Sequence, residues 1–246
     1  QYEIGLQQQL TDHMGFDITM FYRDVRDWVG TSPIIKTYRP VVGYSIYENK
    51  DYSNVRGIIL KVEKRIANNY AFRLDYSFQI AEGTYSNPND AFNAIQAEQE
   101  PRKSLIPLDW DQNHTLNGQL MYRTQGWTAS LIGRYWSGLP YTPSFAKGAR
   151  IGGTAYSGLV KNSARLPSVS SVDFYLMKEF NLVGLELSAF LYVYNLFDQK
   201  QETNVYGDTG TAEYTTYPKV NDVPYSAQRI STVEDLLKRP EWYITP

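Results

Sequence analysis

The sequence predicts an all-β chain, an antiparallel up-and-down segment of a membrane-spanning β-barrel. Three observations predict it. Apolar and polar residues alternate with period two over long stretches, the signature of a strand with one oily and one wet face. From Phe72 to Ile80, Phe72, Leu74, Tyr76, Phe78 and Ile80 fall on one side, and Arg73, Asp75, Ser77 and Gln79 on the other. The alternating runs reach the roughly 9–11 residues that a tilted strand needs to cross a bilayer, beyond the 5–6 common in globular proteins. Short and long connections also alternate along the whole chain, as they do when all tight turns lie on one rim of a barrel and all long loops on the other.

Eight strands follow in order, over residues 2–10, 16–28, 55–66, 71–82, 114–124, 127–137, 169–180 and 184–197. In the second, Phe16, Ile18, Met20 and Tyr22 oppose Asp17, Thr19, Phe21 and Arg23. In the fifth, Leu116, Leu120 and Tyr122 oppose Thr115, Asn117, Gln119, Met121 and Arg123. In the eighth, Leu185, Leu187, Ala189, Leu191 and Val193 oppose Glu186, Ser188, Phe190, Tyr192 and Tyr194. Tight turns are expected at Thr11–Gly15, Ala67–Tyr70, Thr124–Gly126 and Asn181–Val183, and long connections over 29–54, 83–113, 138–168 and 198–240. Four loops of that length count against a soluble sandwich, in which structureless loops beyond about 12–15 residues are uncommon.

Composition agrees. The 246 residues include 21 tyrosines, whose apolar ring and wet hydroxyl suit a water–lipid boundary. Phe16, Tyr70, Trp127 and Phe180 are expected at the short-turn rim, and Trp28, Tyr135, Trp136, Tyr192 and Tyr194 toward the long-loop rim. Arg73, Asp75, Arg123, Arg134 and Asp173 are expected to face inward, as are the bulky Phe190, Tyr192 and Tyr194. A formal net charge of −2 gives no general argument for nucleic-acid binding. With no cysteine, neither a disulfide nor a thiolate metal site is possible.

Catalytic and metal signals are weak. Neither G-x-S-x-G nor H-E-x-x-H occurs. The two histidines, His13 in a turn and His114 at a strand entry, read as ordinary polar residues. Asp109 and Asp111 precede His114, but their spacing matches no calcium loop, so they too read as strand-entry residues. No catalytic, metal or cofactor site is expected. The loop 198–240 carries Tyr206, Asp208, Tyr214, Tyr217 and Tyr225, candidates for a ligand-facing surface because binding residues often sit on loops over a rigid scaffold. Residues 233–238, ended by Pro240, have the pattern of one helical turn.

Five stretches together carry a resemblance: YEIGLQQQLTDHMGFDITMFYRDVRDWVG (2–30), NKDYSNVRGIILKVEKR (49–65), NPNDAFNAIQAEQEPRKSLIPLDWDQNHTLNG (87–118), GRYWSGLPYTPS (133–144) and LYVYNLFDQKQETNVYGDTG (191–210). In this order they resemble the C-terminal barrel region of TonB-dependent outer-membrane receptors, especially those of Bacteroidota-like bacteria. The resemblance implies a 22-stranded barrel filled by an N-terminal plug, importing a scarce or bulky nutrient with energy passed through TonB. The implied partners are outer-membrane lipid, the plug of the same parent chain, TonB through that plug, and an unidentified nutrient ligand. Against that pattern, residues 1–246 read as a partial barrel domain, with plug, early strands and closing strand absent, whose eight strands form an open curved sheet. A porin-like or structural barrel is the alternative, and a barrel enzyme a more distant one.

Overall fold

The computed structural model describes residues 1–36, 38, 43–85, 105–144, 161–215, 219–220 and 223–224. Eight long strands make up one antiparallel sheet: β1 (Tyr2–Thr11), β2 (Met14–Thr31), β3 (Tyr47–Ala67), β4 (Tyr70–Gly83), β5 (His114–Thr124), β6 (Trp127–Trp136), β7 (Val169–Leu182) and β8 (Leu185–Val193). Each pairs with its sequence neighbours, in the order β1 through β8. β1 and β8 do not pair with each other, so the sheet is open, and among the described residues each leaves one edge without a partner strand. All eight expected strands are present.

Three of the four tight turns share one conformation. Asn68 and Asn69, Gln125 and Gly126, and Val183 and Gly184 all have positive φ. This is the two-residue hairpin turn whose twist matches that of the flanking strands. Asparagine and glycine tolerate it, but a β-branched residue in the left-handed region is strained by roughly 1–2 kcal/mol. Val183, at φ 52° and 95% exposed, buries little in exchange. Val183→Asn is therefore expected to stabilise the β7–β8 hairpin by about 1 kcal/mol, read as a higher urea midpoint; a lower midpoint would disprove the turn assignment.

Two strands are longer than the alternation indicates. β2 has 18 residues and β3 has 21, against the expected 16–28 and 55–66. At about 3.3 Å per residue, this hairpin runs well past the length needed to cross a bilayer. The register slips between Val25 and Trp28 and again between Trp28 and Val29, and Asp27 has a positive φ, so alternation fails where the strands continue. Conversely β8 ends at Val193, short of 197, because Asn195 and Asp198 take left-handed φ and the Asn195 side chain turns back to bond Gln199.

Among the described residues buried apolar side chains are few, and they gather where one loop folds onto the sheet. Val55 and Ala81, paired across β3 and β4, lie under Leu108 with Phe21 packed alongside. The segment Ile106–Pro107 pairs with the end of β4, and the Leu108 amide donates to the Ala81 carbonyl at 3.0 Å. The expected helical turn at 233–238 lies outside the described residues.

Candidate functional site

Residues paired across antiparallel strands share a face, so the registers sort the wall into two surfaces. One row runs Leu6, Ile18, Leu60, Tyr76, Leu116, Tyr135 and Ser170 from β1 to β7. The row on the opposite face runs Gln7, Asp17, Lys61, Asp75, Asn117, Arg134 and Ser171. The first surface is apolar over a band of constant height. It spans Arg56 to Lys64 on β3, Phe72 to Ile80 on β4, His114 to Tyr122 on β5, Trp127 to Tyr135 on β6 and Ser170 to Lys178 on β7. Eight residue steps at about 3.3 Å, tilted by about 40°, give a band roughly 20 Å tall, close to the hydrocarbon belt of a membrane barrel.

This outward surface handles its polar groups economically. The Tyr76 hydroxyl meets His114 Nδ1 at 2.9 Å, so each satisfies the other where lipid could not. The His114 ring lies 5.1 Å from that of Phe78. At the short-turn edge stand Tyr70, Tyr122, Trp127 and Phe180, as a lower girdle requires. The upper aromatic level is divided between the two faces. Tyr135 is outward, but Trp136 and Tyr192 have the parity of the inner wall. There Tyr192 packs against Tyr175 and Tyr194, with ring centroids 5.9 and 4.1 Å apart. Alternation assigns the face of a residue, whereas nearness to a rim assigns only its height; Tyr192 lies inward as its alternation predicts, and Trp136 shares that face.

The inner wall is polar and charge-paired. Asp17, Lys61 and Asp75 stand side by side in one row, and Glu63 faces Arg73 in the next. Arg73 Nε donates to Asp75 at 2.8 Å, and Arg134 Nη1 to Asp173 at 2.9 Å. Asp173 also accepts from the Asn195 amide at 3.0 Å, fixing the chain as it leaves β8. Arg73, Asp75, Arg123, Arg134 and Asp173 all lie on this face, as expected from the sequence.

At the end opposite the short turns, the long connections interlock. Asp111, 1% exposed, accepts from the Ala81 amide at 2.7 Å, from Asn113, and from the Arg165 guanidinium. Arg165 also donates to the Asp111 carbonyl at 2.6 Å. Asn162 Nδ2 donates to Asp109 at 2.7 Å and to the Pro107 carbonyl at 2.8 Å. Asp109 and Asp111 are thus fasteners between loops, and no group of three His, Asp or Glu among the described residues is placed to hold a metal ion. Gly138 permits this closeness, since a Cβ there would lie 1.6 Å from the Leu166 carbonyl oxygen. Gly138→Ala is expected to break the short pairing of 140–141 with 164–165 and expose both segments to limited proteolysis; an unchanged digestion pattern would contradict it.

Three of the five candidate ligand residues lie in a compact loop fastened to this assembly. Tyr206 and Tyr214 are 41% and 47% exposed. The Gly210 amide donates to the Tyr206 carbonyl at 2.8 Å, and Thr209 Oγ1 to the Tyr214 carbonyl at 2.6 Å. Asp208 accepts from Thr215 Oγ1 at 3.0 Å, which gives its carboxylate a structural duty. The Ser144 amide, donating to the Gly207 carbonyl at 2.8 Å, ties the loop to 140–144. Tyr217 and Tyr225 lie outside the described residues. The fastener Arg165 escapes sequence reading, because its partner Asp111 is 54 residues away.

The model for the family "TonB dependent receptor-like, beta-barrel" matches residues 1–196. Among solved structures, the outer membrane transporter YddB from Escherichia coli superposes with a TM-score of 0.55 at 15% identity, covering 80% of this chain and 28% of that one. The ferric-catecholate import receptor Fiu from E. coli K12 gives 0.50 at 20% identity, with 80% and 23% covered. The chain thus spans about a quarter of the length of these proteins. No curated protein matches the sequence.

Proposed function

The chain belongs to the TonB-dependent receptor-like β-barrel family, a family of bacterial outer-membrane receptors, and from that premise we propose that it forms part of the wall of a receptor that takes up a nutrient ligand with energy passed through TonB. The observation that carries this reading is the two-faced wall. A polar, charge-paired inner surface stands behind an apolar band of constant height. Such an inner wall suits a folded polar plug held within a wide barrel, whereas a closed eight-stranded barrel has room only for its own side chains. In this reading the plug and the remaining strands come from the rest of the receptor. The unpaired edges of β1 and β8 are where neighbouring strands join.

The interlocked loops then form the outer mouth, and Tyr206, Asp208, Tyr214, Tyr217 and Tyr225 are the proposed ligand-facing residues. Tyrosine rings offer a stacking surface with a hydrogen-bonding tip. The orientation has its own check. Peptide tags inserted within 83–113 or 198–230 are expected to be labelled on intact cells, and tags at Asn68 or Gly126 only after permeabilisation. Labelling at Gly126 with none in the long loops would reverse the orientation.

The functional test is growth on a panel of scarce nutrients by cells with and without the receptor gene, each in TonB-competent and TonB-deficient backgrounds. The expected outcome is a defect on one nutrient class that TonB loss reproduces. Passage of the same nutrient without TonB would replace this reading with a porin-like one.

A further inference from the structure

The charges on the outward face are distributed unevenly between the two edges of the apolar band. At the long-loop edge both signs occur: Arg56 pairs with Glu82 at 3.1 Å, and Asp24 stands in the adjoining row. At the short-turn edge the outward charged positions on the described strands are Lys64 and Lys178, and no acidic residue of those strands has outward parity at that level; Asp12 lies in the β1–β2 turn itself. The nearby acids Glu63, Glu179 and Glu186 have inward parity. Neither lysine has a carboxylate within ion-pair distance among the described residues.

Both ammonium groups are held in place by similar means. Lys64 Nζ lies 3.6 Å from the centre of the Tyr70 ring and donates to the Ala67 and Tyr70 carbonyls at 2.8 and 3.0 Å. Lys178 Nζ lies 4.9 Å from the Trp127 ring centre and donates to the Gln125 carbonyl at 2.9 Å. A lysine has three N–H donors, so each ammonium retains a donor after these bonds. The turn carbonyls and the ring face fix a positive charge at headgroup depth, with apolar residues extending from it toward the middle of the bilayer.

We propose that Lys64 with Tyr70, and Lys178 with Trp127, are two sites for the phosphate of an anionic glycerophospholipid in the leaflet at the short-turn edge, its acyl chains lying along the outward apolar band. A zwitterionic headgroup brings its own ammonium, which competes for the phosphate; a net-negative headgroup does not, so the sites discriminate between them. The proposal rests on the outward face meeting lipid and is independent of ligand uptake, which its test does not read.

The test is native mass spectrometry of the complete receptor in detergent, titrated separately with phosphatidylglycerol, phosphatidylcholine and lipid A. At the usual strength of a surface lysine near anionic lipid, each site favours phosphatidylglycerol over phosphatidylcholine by about fivefold. The pair Lys64→Gln and Lys178→Gln is expected to abolish that preference, and Lys64→Arg with Lys178→Arg to keep it. Lys61→Gln, on the inner wall, is expected to leave it unchanged. Retention of the preference in the glutamine pair, or its absence in the unmodified receptor, would overturn the proposal. Equal retention of lipid A, lost in the same pair, would overturn the leaflet.

Discussion

Arginine in place of Leu131 is expected to destabilise the assembled barrel by about 2–4 kcal/mol, the depth-dependent cost of a cation at the bilayer midplane. Leu131 pairs with Leu120 and Phe174 on the outward face, midway along the band of β6. Its guanidinium would have no outward acid to meet, and the girdles are too distant to reach without distortion. Leu60→Arg on β3 is expected to behave alike, having Lys64 and Arg56 equally far on either side. Two comparisons make the prediction specific. Gln119→Arg, one register position away from Leu120 but on the inner wall, is expected to change stability by less than about 0.5 kcal/mol. Leu187→Arg is outward too, yet Leu187 pairs with Phe180 below Lys178, so its cost should fall to about 1 kcal/mol or less. Urea titration of the complete receptor in bilayers measures all four. Equal tolerance at Leu131 and Gln119 would refute the assignment of faces.

Loss of the Asp111 carboxylate is expected to produce the second large effect. The group is almost wholly enclosed and accepts from the Ala81 amide, Asn113 and Arg165 at once. Removing it by Asp111→Ala strands a backbone donor and an arginine whose side chain is one-third exposed. The partial exposure discounts the penalty for a buried, unpaired charge, leaving about 2–3 kcal/mol. The damage should be local. Segments 105–113 and 161–166 become protease-sensitive, while the heat-resistant compact form of the barrel persists on electrophoresis. A double-mutant cycle with Arg165→Ala isolates the pair. Additive effects would show that the two residues act independently.

The strands were legible because each needs one oily and one wet face, and a period of two records that need directly in the sequence. Phe72–Ile80 shows it without interruption, and Leu185–Ala189 shows it until Phe190 and Tyr192 enter the opposite row. Legibility ends where the need ends. Beyond Val25 and Ser53 the β2–β3 ladder continues above the outward band in a slipped register that no alternation reports. The loop assembly is unreadable for a different reason. Asp111 and Arg165, or Gly138 and Leu166, meet only after several strands have been laid side by side, and separations of that length leave no local signature. Of the candidate ligand residues, the sequence identifies Tyr206 and Tyr214 as loop tyrosines; that Asp208 is engaged by Thr215 follows from how the loop closes.

The constant height of the apolar band makes every strand behave like a reading frame of two letters. Deleting one residue from the middle of β4 would be a frameshift: from that point Arg73 and Asp75, or Phe78 and Ile80, would exchange faces, and the strand would be turned inside out against two neighbours that are not. Deleting two restores the frame and merely shortens the band by one outward residue, about 5 Å along the wall after allowing for tilt. Insertions and deletions in the spanning strands should therefore survive only in pairs. The same single-residue changes in the long connections are read by no frame at all, so the mouth can change length freely while the wall beneath it cannot.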